Sequence, residues 1–278
     1  MKLGILSGLQ SDPQGTLILL LYRIPAILIA LTLHELAHGY VALQCGDPTA
    51  QMMGRLSFNP LRHLDPIGTL FMLLFGFGWA RPVPVNPRNF KNFRRDDLLV
   101  SIAGVVTNFC LFFLSMLIMV LTTTLLFTPE LWQVGELTTY RDFLRFDGWN
   151  FNSILSGSNL LYVKEAGEYV YYQDSFTSFL RTPWLLYVQR FLMFFAQLNL
   201  GLAVFNLLPI PPLDGYHVFN DILLRGRLHI PANVMRIVMI GMLFAFYFTS
   251  FFSTLISRIV YFVQGGVVDL LLAVFGLR

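Results

Sequence analysis

Residues 31–40 read LTLHELAHGY, and within them His34-Glu35-Leu36-Ala37-His38 is an H-E-x-x-H. On a helix, side chains four apart stand one above the other. His34 and His38 can therefore offer two imidazoles to one metal, while Glu35 lies about 100° round at the edge of that face. This is the zincin spacing, two ligands and a general base. Such a pattern arises by accident in on the order of one chain in a hundred of this length, so its setting has to carry weight. Here it lies inside a long apolar run, 16–43, where one Asp or Glu at a helix centre in lipid costs roughly 2.5 to 3.5 kcal/mol. The plainer reading is polar side chains satisfying one another between packed helices. One hydrogen-bonded pair would suffice for that, and three ionisable groups at ligand spacing exceed it.

The remaining composition agrees with a membrane setting. Of 278 residues 55% are hydrophobic and only 13% charged, with mean hydropathy +0.63, against about 25% charged in soluble domains. The expected class is an all-α polytopic membrane protein with the lipid bilayer as its surroundings. A net charge of +3 is too small to suggest a nucleic-acid partner. Cys45 and Cys110 stand far apart with no C-x-x-C, so they read as small apolar residues, not as a disulfide framework or thiolate zinc site. A single Lys2 precedes Asp12, and the first apolar segment carries the histidines, so that segment is not expected to be a cleavable signal peptide.

In chain order, a short polar lead (1–15) precedes a first transmembrane helix over 16–45, where Ala37, Gly39 and Ala42 permit close neighbours. Gly46-Asp47-Pro48 stops it. Residues 49–64, with Arg55, Asn59-Pro60, Arg62 and His63, read as irregular chain near the membrane surface. The apolar run 65–79 is about 15 residues, short of the roughly 20 that span, and is expected to enter and leave on one side. Residues 81–97 (RPVPVNPRNFKNFRRDD) hold the densest basic cluster, Arg81, Arg88, Lys91, Arg94 and Arg95, which places them in the cytoplasm. Their prolines favour a short extended strand with a bare edge. The second span is 98–127, with Asn108 one turn beyond Gly104; its commoner role would be a cross-helix hydrogen bond. In the polar insertion 128–183, the KEAGE at 164–168 and the tyrosine-rich 169–172 predict a β-hairpin. A third span, 184–208, runs into NLLPIPPLDG (206–215), whose prolines break the helix; broken backbone at membrane depth occurs where it is buried or lines a wet cavity. A fourth span is expected over 231–263, and 267–277 is too short to cross and is expected in the interface. This gives about four transmembrane helices and three regions: a first membrane half (1–127), an extramembrane insertion (128–183) and a second membrane half (184–278).

Topology supplies an independent argument. With 81–97 inside and 65–79 re-entrant, the first helix runs from outside to inside and both termini lie outside. At 1.5 Å per residue, His34 is about 27 Å along from Thr16 and Asn206 about 33 Å along from Trp184. The two motifs then reach similar depth from the same side.

HELAH on a first membrane helix and NLLPIPPLDG on a late one together resemble the site-2 protease family of intramembrane zinc metalloproteases, over about residues 16–263. The resemblance implies one zinc ion per chain held by His34, His38 and Asp214, with Glu35 activating water. It implies that Asn108 positions or stabilises the substrate carbonyl, although GVVTN (104–108) has Val105 where the family has proline. It further implies a single-pass membrane-protein substrate cut near the cytoplasmic side, in the cell membrane. A helical substrate has to unwind, and Val83, Val85 and Asn206 are candidates to hold it, the valines by edge addition. GRLSFNPLRHLDPIG (54–68) and WARPVPVNPRNF (79–90) look like the compact members without PDZ or CBS domains. His63 and His217 remain rivals for the third ligand. Asp214 is preferred because Pro209, Pro211 and Pro212 open the backbone just before it and an unpaired carboxylate there would be costly. Two other classes compete, an ion-coupled carrier with a buried metal or proton site and a non-catalytic membrane scaffold. No transporter-like repeat is visible, and a glutamate inside the histidine pair has no use in a scaffold.

Overall fold

Two helices much longer than a bilayer core frame the molecule. In the computed structural model, which describes residues 10, 13–75, 78–133, 139–157, 160–165, 168–172, 177–224, 228, 230–249 and 251–277, they are α1 (Pro13–Gln44) and α4 (Phe93–Leu126). At 1.5 Å per residue they measure about 48 and 51 Å, against about 30 Å of hydrocarbon. Between them lie α2 (Thr49–Met52) and α3 (Pro66–Phe75). The insertion contributes α5 (Tyr140–Leu144), α6 (Trp149–Ser156), β1 (Leu161–Glu165) and β2 (Glu168–Tyr172). Then come α7 (Leu185–Asn206), α8 (Asp214–Leu223), α9 (Ala232–Phe248) and α10 (Phe251–Phe275). Among the described residues four helices are long and apolar enough to cross a membrane: α1, α4, α7 and α10.

The re-entrant expectation for 65–79 agrees with the geometry of α3. Ten residues reach only about 15 Å, and both legs return to one place, joined by an antiparallel bridge between Leu64 and Ala80 and by Arg81 N–H donating to the His63 carbonyl at 2.8 Å. Two glycines let the legs close: a methyl at Gly68 would overlap the Trp79 carbonyl, and one at Gly78 the Gly68 carbonyl. Arg23 of α1 donates to the Leu73 carbonyl, one of the carbonyls a helix end leaves without an intrahelical partner.

α4 begins at Phe93, earlier than the expected 98, because Asn92 caps it: the Asn92 side chain accepts from Arg95 N–H while Asp96 accepts from Asn92 N–H. At its other end the insertion is stitched to the bundle, since Phe127 bridges Leu180 and both Arg181 and Thr182 donate to the Leu126 carbonyl. Phe143, Leu144, Phe146, Phe151, Ile154, Leu161 and Val163 share one core with Phe112, Met116 and Met119 of α4 and Met193 and Ala196 of α7. The predicted hairpin is present, Leu161 pairing with Tyr172 and Glu165 with Glu168; its turn lies outside the described residues, as does most of the 1–15 lead.

The C-terminal expectation needs correction. The stretch 231–263 is not one span: α9 stops at Phe248, where Thr249 turns extended and its hydroxyl takes the Ala245 carbonyl. Residues 267–277 are not an interfacial piece but largely the second half of α10. Gly265 and Gly266 lie inside α10, where packing overrides their low helix propensity. Gln264 donates to the Leu144 carbonyl at 2.7 Å and accepts from Phe146 N–H, Asp269 pairs with Arg141 at 2.8 Å, and Val268, Leu271 and Leu272 are buried. α10 therefore ends beside the insertion, at the end of the bundle opposite the loop 81–92.

Candidate active site

The buried histidines of α1 place His34 Nε2 and His38 Nε2 3.0 Å apart, and α8 brings Asp214 Oδ2 to 3.4 Å from each. Two donors bound tetrahedrally at about 2.0–2.1 Å are separated by about 3.3–3.4 Å. The triangle thus has the size of one face of a zinc tetrahedron, with a fourth position left open. The donor set itself argues for a cation, because two imidazole lone pairs and a carboxylate oxygen at this spacing repel unless something positive stands between them. Asp214 stands in the first turn of α8, where the helix favours a negative charge.

Neighbouring backbone fixes the imidazoles. His38 Nδ1 donates to the Val100 carbonyl at 2.7 Å, which leaves Nε2 with a free lone pair. One turn on, Gly104 lies flat against both rings: a methyl there would overlap His38 Nε2 and stand 2.5 Å from His34 Cε1. Gly215 does the same for α8, since a methyl would overlap the Leu207 carbonyl.

Glu35 is buried beside the triangle, and its Oε2 accepts from Val83 N–H at 2.8 Å. Residues 81–86 have no regular secondary structure, so the expected short strand does not form: beyond the Leu64–Ala80 bridge they join no strand among the described residues. Side chains hold them instead. Arg55 donates to the Arg81 and Pro82 carbonyls, and Asp47 accepts from Asn86 N–H and Asn89 Nδ2. Val85 is half-buried, and among the described residues nothing takes its N–H.

The other expected residues are placed as follows. Asn108 is fully buried one turn beyond Gly104 on the same face, both its amide atoms without a partner among the described residues. Asn206 is half-buried at the last residue of α7. Neither rival histidine joins the triangle: His63 is buried with Nε2 against the Ser57 carbonyl at 2.7 Å, and His217 Nδ1 lies 3.4 Å from Asp97 Oδ2 instead of orienting Asp214. Sequence reasoning missed Arg55, Asp47 and the Val83–Glu35 bond. Gly46-Asp47-Pro48 was legible only as a helix stop, and nothing in the chain announces a contact across 48 residues.

Residues 22–249 match the family model described as Peptidase family M50. The chain belongs to that family, the site-2 proteases. It is also similar to a Bacillus subtilis (strain 168) protein described as "Putative zinc metalloprotease YwhC", 37% identical over 205 residues, which cover 74% of this chain and 70% of that one. No solved structure matches. The protein is an integral-membrane zinc metalloprotease.

A second polar cluster ties α8 to the start of α4. Asp221 of α8 is 1% exposed with no donor to either oxygen among the described residues; Arg94 Nε donates to its backbone carbonyl at 2.9 Å. Burial, and then the Asp97 carboxylate beside it, push the Asp221 carboxyl up to about 6, while hydrogen bonding to Asp97 raises His217. A proton on Asp221 would supply the missing donor toward Asp97.

Two predictions follow from these contacts. Gly104→Ala is expected to lose most bound zinc by elemental analysis, because the methyl displaces both imidazoles. For Asp221, the unfolded carboxyl releases its proton near pH 4 and the folded one near pH 6, so raising the pH through that window favours unfolding. Thermal unfolding in detergent is expected to show wild-type stability falling from pH 4 to 6 and a flatter profile in Asp221→Asn, whose amide can donate to Asp97.

Proposed function

We propose that this protease is an endopeptidase acting on transmembrane segments of single-pass membrane proteins, with its site in the cytoplasmic half of the cell membrane. One observation carries the reading: a triangle of His34, His38 and Asp214 donors with Glu35 at its edge, built on a helix long enough to span the bilayer. In this reading those three residues would hold the zinc, which would supply a water acidified to a pKa of about 7 and a Lewis acid for the carbonyl. Glu35 takes the proton of the attacking water; Val83 N–H holds Oε2, so Oε1 is left to receive it. Asn108 donates from Nδ2 to the substrate carbonyl as charge develops there. The unwound substrate lies along residues 83–85, where the free Val85 N–H offers an edge, and Asn206 contacts it from the end of α7. The basic loop at the site end of the bundle and the insertion at the other end support a cytoplasmic site with both termini outside.

Glu35→Gln is expected to keep zinc and lose about 10²- to 10⁴-fold in cleavage of a single-span reporter in liposomes, whereas Asp214→Ala loses the metal. Undiminished proteolysis by Glu35→Gln would end this mechanism, and metal-dependent ion flux without cleavage would favour a carrier. For the topology, a cysteine at Arg88 is expected to label only from the cytoplasmic face and one at Tyr171 only from outside; equal labelling of both from one face would refute it.

A further inference from the structure

Where α1, α4 and α7 pack together, two fully buried asparagines have polar atoms without a partner among the described residues. Asn199 of α7 is fully buried; its Nδ2 donates to the Phe195 carbonyl one turn back, and its Oδ1 has no partner among the described residues. Asn108 of α4 is equally buried, with Nδ2 and Oδ1 both unpartnered there. An orphaned buried polar atom keeps the cost of its lost hydration, and lipid offers no relief.

The residues beside the two asparagines pack on the same neighbouring helices. One turn from Asn108, Leu111 packs with Ala26 and Ala30 of α1, while Phe112 belongs to the core shared with α7. Asn199 is flanked in the same way, by Leu198 toward α1 and by Leu200 toward α4. Both asparagines therefore lie on helix faces turned to the seam where α1, α4 and α7 meet. Their heights agree too. Asn108 lies about 6 Å beyond Gly104, the residue level with the ligand histidines, and Asn199 lies about 6 Å beyond Phe195, which packs on Ala26 and Ala30. Because α4 runs antiparallel to α1 and α7 parallel to it, both steps converge, within about one helical turn, on the level just deeper than His34.

We propose that this seam binds an ordered water that donates one hydrogen to Asn199 Oδ1 and the other to Asn108 Oδ1, and that Asn199 through this water is a positioning residue for Asn108. A single water has two donors, and the seam presents two orphaned acceptors. With Oδ1 of Asn108 held in the seam, its Nδ2 is turned toward the metal side, where the reaction needs a donor. Buried waters of this kind serve otherwise unsatisfied groups. The role in catalysis rests on the reading of Asn108 given above; the water site does not.

The test is a double-mutant cycle on cleavage of a single-span reporter in liposomes, with zinc content and thermal unfolding followed for every variant. Asn199→Leu is expected to lower kcat by about 5- to 30-fold, the rate equivalent of one misdirected hydrogen bond, with KM and zinc unchanged. Asn199→Asp, neutral at this depth and still offering an acceptor, is expected to restore most of the rate. In an Asn108→Ala background, Asn199→Leu is expected to cost nothing more; additive losses, or a wild-type kcat in Asn199→Leu, would overturn the positioning role. A crystal structure near 2 Å supplies the second arm, which holds even for variants that do not fold. Density for a water within hydrogen-bond distance of both Oδ1 atoms supports the site, and a dry seam overturns it. Full kcat in Asn108→Ala with the water present would defeat the catalytic reading of Asn108 while leaving the site in place.

Discussion

The approach of α4 to the His34–His38 turn decides the geometry of the whole site, and that approach exists because Gly104 carries no side chain. With helix backbone lying directly on the imidazoles, residues four apart along one face perform successive tasks. The Val100 carbonyl fixes the tautomer of His38, Gly104 sets the distance, and Asn108 falls on the deep side of the metal position. α8 obeys the same constraint from the other direction. Gly215 fits against the Leu207 carbonyl, and the chain between Asn206 and Asp214 turns tightly enough to deliver a carboxylate to the same point.

Close packing of backbone on ligands leaves the polar groups of the site end to be satisfied locally, and the fold does this with side chains from the irregular segments. Asp47 gathers Thr49, Asn86 and Asn89. Arg55 gathers two carbonyls, and Arg62 reaches the Gly54 carbonyl. Asp47 and Arg55 tie chain before the hairpin 65–79 to chain after it, while Arg62 closes the segment that precedes it. The opposite end of the bundle is held differently. There the insertion adds aromatic and aliphatic side chains to the core of α4, α7 and α10, so apolar burial does most of the work and polar bonds such as those of Gln264 set the register. One end is therefore rigid through packing and the other through hydrogen bonds around a catalytic centre.

What could be read from the chain alone follows from this division. The metal triangle was legible because its spacing, i and i+4 on a helix, is local, and because a carboxylate at membrane depth has to be explained. The spans α1, α4 and α7 were legible from apolar length. The continuity of α10 through Gly265-Gly266 was not, since it depends on contacts with the insertion more than a hundred residues away, and the break at Thr249 has no glycine or proline beside it to announce it. The role of Gly104 was visible only as a motif letter; its physical reason, the missing Cβ against two imidazoles, needs the partner helix. Arg55 was legible only as part of an irregular segment near the membrane surface, and Asp47 only as part of a helix stop. Their function as anchors of residues 81–86 exists only in three dimensions.

The anchoring of Glu35 by a main-chain donor ties two parts of the site together. A side chain holding the carboxylate could move independently of the substrate, whereas Val83 N–H belongs to the same segment that, in the reading proposed here, takes the substrate along its edge. Any shift of that segment on binding moves the hydrogen bond on Glu35 with it. Arg55 and Asp47 fix the segment at Arg81–Pro82 and at Asn86, on either side of Val83, so the freedom left to it is small and is concentrated at residues 83–85. In that reading the general base and the substrate edge are positioned by one element, so a substrate that seats correctly leaves Glu35 where it is, and one that pushes residues 83–85 aside misaligns the base as it binds.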